Sequence, residues 1–127
     1  MRLHSLVGGT TELIGPEATL AEAAARMVGQ SVDCVAVVEG RNMVGLLTEH
    51  DIVEAVAAGA DPEVELVATW MTASPDTFGP DDLVVEAIAW LMQTGYRHLP
   101  VTSGSELLGI VGVRDLLWAA SPGGVTE

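Results

Sequence analysis

The chain has 127 residues, 49% of them hydrophobic, which suits one folded domain with a core rather than a disordered chain. Its formal net charge is −13, and its five cationic side chains are all arginines: Arg2, Arg26, Arg41, Arg97 and Arg114. That charge repels a polyanion and offers no basic face to displace counterions, so nucleic acid is excluded as a main partner.

In chain order, residues 1–9 lack a cationic stretch followed by a long apolar run, so no signal peptide is expected. A short extended segment covers Thr10 to Ile14. Thr19 and Glu22 then form a capping-box pattern ahead of a helix, whose apolar positions are Leu20, Ala23, Ala24, Met27 and Val28. A strand runs from Cys34 to Val38, the turn Glu39-Gly40-Arg41-Asn42 follows, and a second strand runs from Met43 to Leu47. A second helix starts near Glu49, with Ile52, Val53 and Val56 as its apolar positions.

The same series then recurs. An extended segment spans Ser74 to Phe78, and Asp82 is the expected N-cap of a helix carrying Val84, Ala87, Ile88, Leu91 and Met92. Strands are expected from His98 to Thr102 and from Leu107 to Val111, around the turn Ser103-Gly104-Ser105. A last helix starts near Val113, with Leu116, Leu117 and Ala120 apolar. The two series align without a gap at an offset of 64 residues: Gly15-Pro16 on Gly79-Pro80, Gly40 on Gly104, Gly45 on Gly109, and Asp51 on Asp115.

The fold class is therefore α/β (α+β): two β-α-β-β-α units related by an approximate two-fold axis and packed sheet to sheet. One such unit is too small to bury its sheet face alone, and ligand clefts are expected where the two sheets meet. Repeat one covers about 10–59, a linker about 60–71, repeat two about 72–121, and a short tail 122–127. No apolar run approaches the roughly 18 residues that span a membrane. Cys34 is the single cysteine, so no internal disulfide forms. Cytoplasmic residence follows as the expectation.

Catalytic chemistry finds little footing. Cys34 falls in a strand expected to be buried, with no base beside it in sequence, which reads as a packed core thiol. His4, His50 and His98 lack metal-ligand spacing, although Cys34 and His98 are repeat mates that, with His50, form the one conceivable metal set. Gly109 to Gly112 do not make a dinucleotide fingerprint. Thr48 and Asp51 stand at a strand-to-helix junction, where T-x-x-D is a capping motif that also leaves N–H groups open to an anion. Trp70, Trp90 and Trp118 are a large aromatic content for this chain; Trp90 suits a core and Trp118, on the last helix, an interface.

Three segments carry a family resemblance: Met71-Thr72-Ala73-Ser74-Pro75-Asp76-Thr77, Arg97-His98-Leu99-Pro100-Val101, and Gly45-Leu46-Leu47-Thr48-Glu49-His50-Asp51. In this order, duplicated at one offset, they resemble a tandem pair of cystathionine-β-synthase-type (CBS) domains, a Bateman module, over roughly residues 10–121. The resemblance implies a non-catalytic regulatory module with no required cofactor. It implies that AMP, ADP, ATP or S-adenosylmethionine binds in the cleft between repeats, that the chain forms a homodimer, and that it acts on an effector protein.

Carried onto this chain, the resemblance gives Asp51 the ribose hydroxyls and Thr48 a phosphate, with His50 beside them. Thr72, Ala73 and Pro75 become the base-stacking segment of that cleft, and Thr11, Leu13 and Ile14 that of the other. Arg97 and His98 take the phosphate-contacting place; their repeat mates, Asp33 and Cys34, offer a phosphate nothing. In repeat two the pattern reads Gly112-Val113-Arg114-Asp115, so Asp115 remains while the hydroxyl residue is lost, and the two clefts should differ. That loss leaves open a structural or protein-interaction module with degenerate ligand sites, and, behind it, a metal-binding member of the family.

Overall fold

The computed structural model describes residues 1–7 and 11–121. Two compact units divide the chain: residues 11–75, and residues 76–121 together with residues 1–7. Among the described residues no helix is long and apolar enough to cross a membrane.

In the first unit, β1 (Leu13–Ile14) pairs in parallel with β2 (Cys34–Glu39), and β2 pairs antiparallel with β3 (Asn42–Thr48). The connection from β1 to β2 runs through α1 (Leu20–Gln30), and β3 leads into α2 (Glu49–Ala57). A short α3 (Val67–Trp70) and the two-residue β4 (Thr72–Ala73) follow, with β4 antiparallel to β3. The second unit repeats the scheme with α4 (Val84–Thr94), β5 (His98–Ser103), β6 (Glu106–Gly112) and α5 (Val113–Ala120). There β5 and β6 are antiparallel, and Phe78 bridges Val101 in parallel as Ile14 pairs with Val37.

The 64-residue offset holds in the details of the backbone. The register shifts between Val37 and Val38 in one hairpin and between Val101 and Thr102 in the other. The hairpin turns use Gly40 at φ 64° and Gly104 at φ 63°, left-handed values that a side chain would strain. Both first helices end on a left-handed residue, Ser31 at φ 55° and Gly95 at φ 79°.

Each unit has its own core. In the first, Leu20, Ala23 and Met27 of α1 close over Val35, Val37 and Leu47 of the sheet. In the second, Val84, Ala87 and Leu91 close over Leu99, Val101 and Val111, with Leu116 from α5. Burial of this kind contributes roughly 25 cal/mol per Å² of apolar surface, and it is what holds each helix on its sheet.

Several sequence expectations change. Asp82 does not cap α4: Leu83 is the N-cap residue and no side chain caps it. The Asp82 carboxylate instead accepts from the Gly79 N–H at 2.7 Å, closing the turn before the helix. The helical stripes are narrower than the apolar positions suggest. Val28 and Met92 are each 81% exposed, and Val53, Val56 and Leu117 are also exposed, while Ala55 and Leu116 hold the second helices down. Cys34 is half-buried at the start of its strand, outside the fully buried run Val35-Ala36-Val37. Trp90 is half-buried against the second core, edge-on to Phe78 with ring centroids 5.6 Å apart, and Trp118 is exposed.

The segment between the repeats is structured. Val67 of α3 is fully buried in the first core, and Trp70 donates through Nε1 to Glu65 at 3.2 Å. Residues 1–7 stand in the second unit as residues 65–71 stand in the first. Arg2 bridges Leu83 as Leu66 bridges Thr19, and Leu3 is as buried as Val67.

Candidate functional site

The strand-to-helix junctions hold the polar side chains singled out from sequence. In the first unit the sheet direction turns at Thr48, which ends β3 and caps α2 in extended geometry. Thr48 and Asp51 form a reciprocal capping box: the Asp51 N–H donates to Thr48 Oγ1 at 3.4 Å, and the Thr48 N–H donates to Asp51 Oδ2 at 2.8 Å. The Thr48 hydroxyl also donates to Asp51 Oδ2 at 3.2 Å. All of these bonds on the carboxylate fall on Oδ2, so the cap orients Asp51 while Oδ1 takes no part in it. Both residues are half-buried. The junction is closed from behind by the Glu49 N–H, which donates to the Asp33 carbonyl at 3.0 Å.

β4 brings Thr72 and Ala73 alongside the same strand. Gly45 faces Ala73 and Leu46 faces Thr72, two residues before the Thr48 cap, and both β4 residues are exposed. Pro75 follows, half-buried. The close approach depends on Gly45: a Cβ there would run into the Met71 sulfur and lie 3.1 Å from the Thr72 carbonyl. The structure thus collects Thr48, Asp51, Thr72 and Ala73 on one unit. His50 is turned elsewhere, its exposed Nε2 2.8 Å from the Glu54 carboxylate.

The second junction has the same backbone and different side chains. Gly112 ends β6 and caps α5 without a side-chain bond, and its N–H donates to Asp115 Oδ2 at 2.8 Å. The Val113 N–H donates to the Arg97 carbonyl at 2.9 Å, the counterpart of the Glu49–Asp33 bond. His98 pairs with Gly112 across the β5–β6 ladder. Arg97, Arg114 and Asp115 are exposed, His98 and Val113 half-buried. Of the other expected stacking segment, Ile14 is 5% exposed and belongs to the first core, whereas Thr11 is half-buried and Leu13 exposed.

Sequence reasoning passed over the main-chain role of Asp33 and Arg97, whose carbonyls tie the strand entry to the helix start. The signal was their matched position one residue before each strand. Cys34, beside Asp33, is held in its protonated thiol form: burial first, and the Asp33 carboxylate second, push it up to about 12.

Comparison with known proteins follows the same division. The CBS domain family model matches residues 12–58 and residues 65–121. An uncharacterized 17.7 kDa protein of Acidianus ambivalens is 36% identical over 107 residues, 82% of this chain and 63% of that protein. The chain spans only 19% of a CBS domain-containing protein of Arabidopsis thaliana, to which it is 32% identical over 104 residues. Among solved structures, a protein with CBS domains from Burkholderia ambifaria superposes with a TM-score of 0.87 at 23% identity, over 94% of this chain and 93% of that one. A CBS domain protein from Pyrobaculum aerophilum, solved in complex with AMP, gives a TM-score of 0.84 at 24% identity, over 91% and 89% of the two chains.

Proposed function

This chain belongs to the CBS domain family, and from that premise we propose that it is a non-catalytic sensing module that binds an adenosyl compound and passes the signal to a partner protein. The observation that carries the reading is the Thr48–Asp51 capping box, which orients a carboxylate through Oδ2 at the start of α2, with the exposed β4 on the same unit. A carboxylate held in this way suits the paired hydroxyls of a ribose, and the extended β4 offers edge and backbone to a base. The AMP complex of the Pyrobaculum relative supports this ligand class. The first junction is the stronger half of the proposal, because Gly112 removes the hydroxyl from the second. AMP, ADP, ATP and S-adenosylmethionine are the ligands to try.

Thermal unfolding tests it. A ligand that binds only the folded chain raises the melting temperature in step with its concentration. The expected outcome is a shift with at least one adenosyl compound, reduced more by Asp51→Asn than by Asp115→Asn. The asparagine keeps an acceptor for the cap, so each variant is compared with its own ligand-free melt. No shift with any of the four at millimolar concentration rejects the reading, and the chain is then a protein-interaction module. Homodimerisation through the exposed apolar residues of α2 and α5, Val53, Val56, Leu117 and Trp118, belongs to the same proposal. Light scattering that shows a monomer at high concentration rejects that part alone.

A further inference from the structure

The second unit is completed by a segment that precedes the whole of the first. The Leu3 N–H donates to the Asp82 carbonyl and the His4 N–H to the Pro80 carbonyl, both at 2.9 Å, and the Met1 carbonyl accepts from the Val84 N–H at 3.0 Å. Arg2 adds a guanidinium bond to the Asp81 carbonyl. The segment makes one antiparallel bridge at Arg2 and then a 3-10 turn over Leu3–Ser5, held by main-chain bonds along residues 80–84 and by apolar side chains. The deepest is Leu3, fully buried in one cluster with Val84, Leu99, Val101, Val111 and Leu116, and Met1, Leu6 and Val7 pack half-buried against that cluster.

The matching segment of the first unit makes the same bonds. The Val67 N–H donates to Ala18, the Ala68 N–H to Pro16, and the Glu65 carbonyl accepts from Leu20, at 2.8, 3.0 and 2.9 Å. It is held more firmly, however. It runs straight on into β4, which is pinned to β3 through Thr72 and Ala73. Residues 65–71 are also continuous with their own unit, whereas residues 1–7 join theirs only through residues 11–75. Seating them therefore closes a long loop for one fully buried side chain, three partly buried ones and a few main-chain bonds.

We propose that the second unit carries a peptide-docking groove whose occupant, residues 1–7, is a detachable arm, and that the order of α4, β5, β6 and α5 depends on its seating. Leu99, Val111 and Leu116 adjoin His98, Gly112 and Asp115 in sequence, so an unseated arm loosens the backing of the second junction. The first unit keeps its own segment and stays closed. The inference stands independently of the ligand reading.

Hydrogen exchange on the full-length chain tests it. Leu3→Ala should speed exchange of the core amides in residues 84–112 by at least about tenfold while those in residues 34–48 change by less than about twofold. Val67→Ala should reverse that pattern. A synthetic peptide of residues 1–7, added at millimolar concentration to the Leu3→Asp variant, should restore protection to residues 84–112. Equal acceleration of both units by Leu3→Ala, or no acceleration, overturns the proposal. So does a peptide that restores nothing while Leu3→Ala leaves the far-UV circular dichroism native.

Discussion

The two strand-to-helix junctions share a backbone and differ in most of the side chains set around it. Each helix start donates to the carbonyl of the residue before the first hairpin strand, and each N-cap N–H donates 2.8 Å to an aspartate three residues on. Around that frame Asp33 is matched by Arg97, Cys34 by His98, Thr48 by Gly112, Glu49 by Val113 and His50 by Arg114. The first junction is acidic and hydroxylated; the second is cationic with a bare cap. What the repeats keep in common is main-chain geometry and buried apolar volume, because both are needed for each unit to fold. Slots outside the two cores answer to no such constraint and differ.

The strongest way to break the comparison is through the cores. Leu47→Ala, at a fully buried position, should cost about 2–5 kcal/mol in urea unfolding. Its repeat mate Val111 is equally buried but smaller, so Val111→Ala should cost less; equal losses would show that the two cores do not relax alike. Gly45→Ala comes next. The Met71 side chain can swing aside but the Thr72 carbonyl cannot, so overpacking of about 1–3 kcal/mol is expected. Hydrogen exchange at β4 should rise with it, and retained β4 protection would refute the packing account.

Smaller effects sharpen the contrast at the caps. Thr48→Ala removes the acceptor for the Asp51 N–H and should cost about 1 kcal/mol. Gly112→Ser supplies the missing oxygen where a Cβ meets only ordinary contacts, at 3.6 Å from Asp115 and 3.9 Å from the Arg97 carbonyl. It should stabilise by roughly a few tenths of a kcal/mol, since glycine is already a fair cap; a loss would mean the α5 junction cannot take a side chain.

Cys34 gives the smallest effect, and only at high pH. Its thiol is held up to about 12 in the folded chain, above the ordinary value of 9.0. The unfolded chain therefore loses the proton first, and stability falls as pH climbs above about 9, with no change near neutrality. Cys34→Ala should flatten that alkaline slope in denaturant midpoints, and alkylation of the native thiol at pH 8 should be slow. Fast alkylation would contradict the burial argument.

Much of this was legible in the residues. The hairpins showed through Gly40 and Gly104, the first helices through Leu20, Ala23 and Met27 against Val84, Ala87 and Leu91, and the first cap through Thr48 with Asp51. The second helices were read too generously, since Val53, Val56 and Leu117 fit a helical stripe yet face outward. Eight or nine residues make too short a stripe to show which edge meets the sheet. Residues 1–7 and 65–71 share no residue type at matched positions, only an apolar pattern of Leu3, Leu6 and Val7 over Val67, Trp70 and Met71. Outside the two hairpin units that pattern is too short to show an element, so residues 60–71 read as a linker and residues 1–7 as no element at all.

The sequence by itself determined the repeat, its 64-residue offset and the order of elements, because glycines at left-handed positions, caps and apolar periodicity act over a few residues. Only the tertiary structure decided which unit residues 1–7 complete, which side of Asp82 takes its hydrogen bond, and that β4 lies against the strand ending in Thr48. Those choices join residues far apart in the chain. They are settled by which surfaces are left to bury and which main-chain groups are left to pair, and neither can be counted until the units have formed.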